Sequence, residues 1–271
     1  MSRISRCFET LKNAGKQALI PYLTAGDPDI KTTLSLMHAL VDAGADIIEL
    51  GYPFTDPTSD GPVIQRAVER ALVHNTSLKQ TLETVAQFRQ MNDHTPVVLM
   101  GYLNPIECMG YAHFIERAVN SGVDGVLVVD MPPEESHDFL ELIRETSLDT
   151  IYLVAPTTSE ERIEEICSDS SGYVYYISLK GVTGASHLDI DSVRENLAKV
   201  RQYTDLPVGV GFGIKDGETA RAIAAIADAV VVGSALVNEI AKLEGQTDVP
   251  REKLDSTVAV IKAMRQAMDK E

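Results

Sequence analysis

Residues 29–53, "DIKTTLSLMHALVDAGADIIELGYP", join an amphipathic helical pattern to a short apolar run. The segment "DAGAD" ends the helix with a glycine near its C-terminus, and the next strand begins at once. The run "DIIELGYP" is nearly continuous in its apolar character, which is typical of a parallel strand buried on both faces. The stretch therefore predicts a helix that leads directly into a parallel strand, with Glu49 near the end of that strand.

The same kind of apolar run recurs along the whole chain. The other predicted strands are "ALIPYLTAG" (18–26), "PVVLMGY" (96–102), "DGVLVVD" (124–130), "TIYLVAP" (150–156), "GYVYYIS" (172–178), "PVGVGFG" (207–213) and "DAVVVGS" (228–234). Helical patterns lie between them, with no linker and no shift in composition. Eight βα units in sequence predict an α/β fold, a single (β/α)8 TIM barrel domain over residues 1–271. An extra N-terminal helix, with Ile4, Phe8 and Leu11 at helical spacing, is expected to cover the closed bottom of the barrel.

An open, doubly wound sheet is the alternative that the order of strands and helices leaves open. Such a sheet usually carries a GxGxxG motif after its first strand. Here the glycine-rich segment "GVGFGI" (209–214) has a different spacing and follows the seventh strand. The barrel is therefore the favoured prediction.

Composition and charge exclude some functions. The formal net charge of −16 argues against a nucleic-acid surface, although backbone N–H groups can still bind an anionic ligand. Cys7, Cys108 and Cys167 are far apart and form no CxxC pair, which indicates reduced thiols. The sequence shows neither a signal peptide nor an uncharged run long enough to span a membrane, so a cytoplasmic location is expected.

Glu49 is the first candidate for chemistry. Barrel active sites lie at the carboxyl ends of the strands, and alternation puts Glu49 on the inward face with Ile47, while Ile48 and Leu50 face outward. A carboxylate there is partly desolvated, which raises its pKa toward the range useful for proton transfer. The structural alternative is an ion-paired glutamate of the core.

Two more carboxylates follow on the loop "FTDPTSDGP" (54–62). The loop is long enough to fold back over the mouth of the barrel and to bring Asp60 to the site. Asp-Gly is also common turn chemistry, so position alone leaves the role of Asp60 open. Asp56, which precedes Pro57, is expected to shape the loop or to face a partner.

The last two strands end in "GVGFGI" (209–214) and "VVGSAL" (231–236). Loops at these positions bind phosphate in many barrels, with help from a helix N-terminus, although plain turn glycines are the alternative. The loop "LKGVTGASHLD" (179–189) has the glycines expected of a lid. Pocket candidates at the strand ends are mainly aromatic and aliphatic: Tyr22, Met100, Tyr102, Leu127, Val129, Leu153, Tyr175 and Phe212. Together these features predict a substrate with an apolar body and a phosphate group.

Several chemistries lack their motifs. The chain has no HExxH or HxH pair for zinc, no GxSxG elbow and no GxxxxGK phosphate loop. A Schiff-base aldolase needs an inward lysine, and alternation from Tyr175 places Lys180 outward. Acid–base chemistry by carboxylates remains the favoured interpretation.

Long motifs of the chain resemble those of the tryptophan synthase alpha subunit family. They are "PYLTAGDPD", "IIELGYPFTDPTSDGPVIQ", "GYLNPI", "VDGVLVVDMPPEE", "YYISLKGVTGA", "GVGFGI" and "VGSALV", in order over essentially the whole chain. The resemblance implies a (β/α)8 barrel that cleaves indole-3-glycerol phosphate to indole and glyceraldehyde 3-phosphate. It also implies an α2β2 complex in which indole passes to a beta subunit. The pyridoxal phosphate belongs to that beta subunit, and no cofactor is expected in this chain.

The resemblance also implies roles for individual residues. Glu49 matches the family's general acid/base, and Asp60 matches the carboxylate that contacts the indole N–H. Substrate-binding positions match Tyr22, Met100, Tyr102, Leu127, Tyr175, Thr183, Gly184, Phe212, Gly213, Gly233 and Ser234, the last six in the lid and phosphate loops.

The chain departs from the family pattern at a few positions. Tyr52 stands where a small aliphatic residue is usual, Thr58 and Ser59 replace apolar or small residues, and Leu179 stands where an arginine often lies. Three other functions stay open from the sequence. They are another enzyme of phosphate-binding barrels, a non-catalytic activator of the beta subunit, and a stand-alone lyase that releases indole.

Overall fold

The computed structural model describes residues 1–178, 189–211, 213–246 and 248–270. The strands in these ranges are β1 (Ala18–Thr24), β2 (Ile48–Gly51), β3 (Val97–Gly101), β4 (Gly125–Val128), β5 (Asp149–Thr150), β6 (Leu153–Val154), β7 (Val174–Ile177), β8 (Val208–Gly211) and β9 (Ala229–Val232). The α-helices are α1 (Arg3–Asn13), α2 (Ile30–Asp42), α3 (Pro62–Val73), α4 (Leu78–Arg89), α5 (Leu103–Met109), α6 (Tyr111–Ser121), α7 (His137–Arg144), α8 (Glu160–Asp169), α9 (Ile190–Val200), α10 (Gly217–Ala224), α11 (Ser234–Ile240), α12 (Arg251–Thr257) and α13 (Ala259–Met268). Two short 3-10 helices span Pro133–Glu135 and Ala241–Leu243. None of the helices in the described ranges is long and apolar enough to cross a membrane.

The strands form one parallel sheet in the order β5-β4-β3-β2-β1-β9-β8-β7-β6. The first strand in the chain, β1, pairs with the last strand in the chain, β9, with Ala18 opposite Ala229, as in a sheet that curls back on itself. This order excludes the open doubly wound sheet, and the predicted (β/α)8 barrel is confirmed.

The fifth predicted run, residues 150–156, is divided between β5 and β6. β5 pairs with β4 and β6 pairs with β7, so the two pieces belong to opposite ends of the sheet order. Between them, Ile151 N–H donates to the Val126 carbonyl and Tyr175 N–H donates to the Tyr152 carbonyl, each at 3.0 Å. One run therefore joins both edges of the sheet and closes the barrel.

Alternation along the strands separates the inside of the barrel from its helix-covered outside. Ile47 is buried in the inner cluster, together with Tyr173 and Tyr175 of the sixth run. Ile48 and Leu50 belong to the larger cluster that packs under the helices. This alternation follows from the pleat of a strand, in which successive side chains point to opposite faces.

Helix α1 covers the amino-terminal end of the barrel, as predicted. Its buried residues Ile4, Phe8 and Leu11 join the inner cluster, and the Phe8 ring lies 6.0 Å from the ring of Tyr173. The helix begins at a Ser2 cap, whose side chain accepts a hydrogen bond from the Ser5 N–H. The opposite, carboxyl end of the strands carries the loops and the candidate site.

Helix α3 follows the loop that carries Asp60, and it is held to the first βα connection by a buried ion pair. The guanidinium of Arg70 donates to both carboxylate oxygens of Asp27, at 2.7 and 2.8 Å. The Asp27 side chain is almost fully buried. A two-pronged arginine–carboxylate pair constrains orientation as well as distance, so it holds the last turn of α3 against the first βα connection.

Candidate active site

A cavity of about 600 Å³ lies at the carboxyl ends of the strands. Its walls come from the first, second, third, sixth, seventh and eighth βα units and from the last helix. The lining residues are Tyr22, Glu49, Asp60, Gly61, Ile64, Met100, Tyr175, Gly213, Ile214, Lys215, Val231, Gly233, Ser234, Ala235, Asn238, Glu239 and Val260. A second cavity, of about 690 Å³, opens beside α1 at the amino-terminal ends of the strands, where barrel enzymes do not place their active sites.

Glu49 lies inside the barrel at the floor of the site and is fully buried. The Tyr173 hydroxyl donates a 2.5 Å hydrogen bond to Glu49 Oε1. Among the described residues, Oε2 has no hydrogen-bond partner. Burial raises the pKa of the Glu49 carboxyl to about 7, and the bond from Tyr173 limits that rise. One oxygen of Glu49 is therefore held by Tyr173, and the other is available to a ligand. With a pKa of about 7, the Glu49 carboxyl can exchange a proton near neutral pH.

Asp60 reaches the same cavity from the loop after β2. The Tyr102 hydroxyl donates to Asp60 Oδ2 at 3.1 Å and accepts a hydrogen bond from the Ser59 N–H at 3.0 Å. Burial raises the pKa of Asp60 to about 6, and the Tyr102 hydrogen bond opposes this rise. Asp60 therefore loses its proton at a lower pH than Glu49, so the two carboxyl groups can hold different charges in one cavity.

Tyr22, Met100 and Tyr175 line the same cavity as the two carboxylates. The Tyr175 ring occupies the space beside Gly211, where a Cβ would lie 2.0 Å from the phenol oxygen. Gly211 belongs to the glycine segment 209–214, which the sequence predicted for phosphate binding. A side chain at position 211 would clash with the Tyr175 ring, so the close packing of Tyr175 explains why a glycine stands there.

Gly213, Gly233 and Ser234, which the sequence predicted for the phosphate group, also line the cavity. Ser234 is the first residue of α11. The cavity is also lined by residues that the sequence did not single out: Gly61, Ile64, Ile214, Lys215, Val231, Ala235, Asn238, Glu239 and Val260. Lys215 directly follows the predicted glycine segment, so its position after the seventh strand was the signal that could have identified it.

Some predicted pocket residues lie elsewhere. Leu127 is fully buried in the inner cluster, where its neighbours in the barrel interior cover it. It lines neither the main cavity nor a small cavity that adjoins it. Leu153 packs against the same cluster and also lines neither cavity. Tyr102 and Val129 line a small adjoining cavity of about 10 Å³ instead of the main one. Thr183, Gly184 and Phe212 lie outside the described residues, as do Leu179 and Lys180.

Tyr173 is the residue nearest to the chemistry that the sequence reading left out. It is completely buried, and its phenol contacts the Glu49 carboxylate directly. The signal was present, because Tyr173 precedes the inward-facing Tyr175 by two positions and must share its face. Within the described ranges, no group of three or more His, Cys, Asp or Glu residues could hold a metal ion.

Comparisons with known proteins agree along the full chain. The family model of the tryptophan synthase alpha chain matches residues 8–269. The tryptophan synthase alpha chain of Thioalkalivibrio sulfidiphilus is 58% identical over 269 residues, covering 99% of this chain and 100% of the relative. That of Chromobacterium violaceum is 60% identical over 263 residues, covering 97% and 99%.

Solved structures show the same relationship. The crystal structure of tryptophan synthase subunit alpha from Legionella pneumophila has a TM-score of 0.90 and 45% identity, with 99% of each chain covered. A chain of the α2β2 complex from Pyrococcus furiosus has a TM-score of 0.83 and 39% identity, with 93% of this chain and 99% of that chain covered. With the barrel, the buried glutamate and these matches in agreement, the chain belongs to the tryptophan synthase alpha chain family.

Proposed function

We propose that this chain cleaves indole-3-glycerol phosphate to indole and glyceraldehyde 3-phosphate by a retro-aldol reaction, as a carbon–carbon lyase. Glu49 is the general acid and base, and Asp60 stabilises the charge that develops on the indole ring. The observation that carries the proposal is the Glu49 carboxyl. It is fully buried, has one oxygen without a partner among the described residues, and shares a cavity with Asp60.

The reaction begins with the protonated Glu49 carboxyl, which delivers its proton to indole C3. The ring becomes an indoleninium cation, and the Asp60 carboxylate stabilises the positive charge through the ring N–H. Glu49, now ionised, takes the proton of the glycerol hydroxyl on the carbon bonded to indole. As that C–O group becomes an aldehyde, the electron pair of the C–C bond returns to the ring and neutralises it. Glu49 ends protonated, ready for the next cycle.

The two proton transfers set a requirement on the pKa of the acid. A group that gives and then recovers a proton works best when its pKa lies near the working pH. The pKa of about 7 at Glu49 meets this requirement, whereas an exposed glutamate would be almost fully ionised at neutral pH. Asp60, with its lower pKa of about 6, supplies the negative charge beside the ring.

The cavity suits a substrate with a flat apolar body and a phosphate group. Tyr22, Met100 and Tyr175 offer an apolar wall for the indole ring, and a volume of about 600 Å³ is in the range of small-molecule sites. Gly213, Gly233 and Ser234 are the described residues that we assign to the phosphate group. Backbone N–H groups would then supply the attraction for the phosphate in a protein of net charge −16.

A beta subunit is the proposed partner. The Pyrococcus furiosus structure is described as an α2β2 complex with mutual activation of its subunits. By similarity, this chain forms an α2β2 complex as a single barrel domain in the cytoplasm, and the indole passes to the beta subunit. Pyridoxal phosphate belongs to the beta subunit, and this chain carries out its proton transfers with its own side chains.

The test is to incubate the full chain with indole-3-glycerol phosphate, with and without a beta subunit, and to measure indole. We expect indole in both reactions and faster release with the partner. Glu49→Gln should abolish cleavage while binding of glycerol 3-phosphate remains. If neither reaction yields indole, the lyase proposal is wrong; an effect only on the beta subunit's own activity would then support a non-catalytic activator.

A further inference from the structure

The loop that brings Asp60 to the site begins at Tyr52, directly after β2. Tyr52 is 2% exposed, although it starts a surface connection. Its N–H donates to the Met100 carbonyl at 3.0 Å, and its hydroxyl donates to the Tyr102 carbonyl at 2.8 Å. Tyr52 is therefore bound to the end of β3 through both its main chain and its side chain.

Gly101 makes this arrangement possible. A Cβ at position 101 would lie 2.4 Å from two atoms of the Tyr52 ring, so the ring lies directly over the glycine. The next residue along the chain, Tyr102, precedes α5 and has no side-chain cap of its own. The Leu103 N–H is instead bound by Asp130 Oδ1 at 2.7 Å. The Tyr102 backbone is thus fixed on one side by Asp130 and on the other by the Tyr52 hydroxyl.

The side chain of Tyr102 returns to the far end of the same loop. Its hydroxyl accepts from the Ser59 N–H and donates to Asp60 Oδ2. The Phe54 ring packs 5.6 Å from the Tyr102 ring. The loop over residues 52–60 is therefore tied to one residue at both ends, to its carbonyl through Tyr52 and to its phenol through Ser59 and Asp60.

We propose that Tyr52 is a positioning residue for Asp60: its hydroxyl fixes the Tyr102 backbone, and the Tyr102 phenol then holds the Asp60 carboxylate at the cavity. The inference rests on the proposed function of Asp60. A catalytic carboxylate acts only within a narrow range of positions, and the residues that hold its hydrogen-bond partner control that range. Tyr52 itself lines the small adjoining cavity and not the main one.

The first test compares two tyrosines whose hydroxyls make equivalent buried bonds. Tyr52→Phe removes the 2.8 Å bond to Tyr102. The control Tyr152→Phe removes a 2.8 Å bond from Tyr152, which lies between β5 and β6, to Ser136 Oγ on the connection after β4. We expect kcat of indole release to fall about three- to tenfold in Tyr52→Phe, with KM little changed, as for loss of one ordinary hydrogen bond. Tyr152→Phe should lose comparable thermal stability and keep its kcat. Equal kcat in the two variants would overturn the proposal.

A double-mutant cycle separates positioning from a general structural role. Once Tyr102→Phe has removed the bond to Asp60, Tyr52→Phe should cause no further loss of kcat, because the two residues act through one contact. Fully additive losses would contradict the proposed chain of contacts.

A third measurement does not depend on activity. Because the Tyr102 bond lowers the pKa of Asp60, weakening it should raise that pKa, seen in the pH titration of the labelled Asp60 carboxyl carbon. We expect an upward shift in Tyr52→Phe and none in Tyr152→Phe. An upward shift in a chain that makes no indole would retain the positioning role and reject the lyase function. An unchanged midpoint would reject the positioning role alone.

Discussion

The hydroxyl of Tyr173 donates to Glu49 Oε1 at 2.5 Å while the other carboxylate oxygen of Glu49 has no partner among the described residues. Both side chains are fully buried inside the barrel. The bond favours the ionised form of Glu49, and burial disfavours it more strongly. The pKa of Glu49, which we assign to catalysis, is therefore set by two opposing effects: burial raises it, and the hydrogen bond from the Tyr173 hydroxyl lowers it.

Removing that hydroxyl should move the pH dependence of the reaction. If protonated Glu49 starts the reaction, kcat/KM falls as the pH rises through its pKa of about 7. In Tyr173→Phe the lowering effect is lost, so we expect this alkaline limb to shift to higher pH. The control is Tyr176→Phe, because Tyr176 is equally buried but belongs to the larger cluster that packs under the helices. An alkaline limb that is the same in all three proteins would contradict the role of Tyr173.

The same burial should cost stability at high pH. The pKa of Glu49 is about 7 in the folded chain and near 4.5 when the group is unperturbed, so between these values the folded chain binds more protons than the unfolded chain. The free energy of unfolding therefore falls as the pH rises through this window. We expect Glu49→Gln to raise it by about 3 kcal/mol at pH 8.5 and by little at pH 4. Urea unfolding at both pH values measures the difference, and an equal effect at both would be the contrary result.

Asp60 should account for the acidic limb. Its carboxylate must be ionised to stabilise the cationic ring, so kcat/KM is expected to fall as the pH drops below about 6. Asp60→Asn should lower kcat/KM by about a hundredfold and abolish this limb. Asp56→Asn, on the exposed part of the same loop, should keep both activity and limb. A limb that persists in Asp60→Asn would instead belong to the substrate phosphate, which also titrates near pH 6.

Two glycines of β8 provide a test of the cavity wall. A Cβ at Gly211 would lie 2.0 Å from the Tyr175 phenol oxygen, whereas a Cβ at Gly209 would find its nearest atom at 3.4 Å. Gly211→Ala should therefore lower the free energy of unfolding by about 1–3 kcal/mol and raise KM by displacing Tyr175. Gly209→Ala should be close to wild type in both measurements. Similar effects at the two positions would show that the Tyr175 contact is unimportant.

Much of this arrangement could be predicted from the period of the strands. Eight apolar runs indicated the barrel, and alternation placed Glu49 inside it, because a side chain's face depends only on its position along the strand. The division of the fifth run between β5 and β6 could not be predicted. It depends on how the run hydrogen-bonds to β4 on one side and β7 on the other, and these are contacts between residues distant in sequence.

The details of the site were less accessible for the same reason. Tyr173 could have been inferred from its spacing to Tyr175, but its bond to Glu49 depends on the relative height of two strands. The contact between Gly211 and Tyr175 likewise joins neighbouring strands. From the sequence alone, a strand-end glycine that faces a ligand cannot be distinguished from one that faces an aromatic ring. In the sequence, Tyr52 stood out only as a departure from the family pattern. Its structural role depends on its buried position over Gly101, on the neighbouring strand.

Helix α1 gives the barrel a floor as well as a first element. Ile4, Phe8 and Leu11 pack into the amino-terminal end of the barrel, and the cavity that Glu49 lines lies at the opposite, carboxyl end of the strands. Under the proposed reaction, substrate and products are expected to pass at that carboxyl end, since α1 covers the other. A beta subunit that takes up indole would therefore dock on the carboxyl-end loops of the barrel, on the side opposite α1.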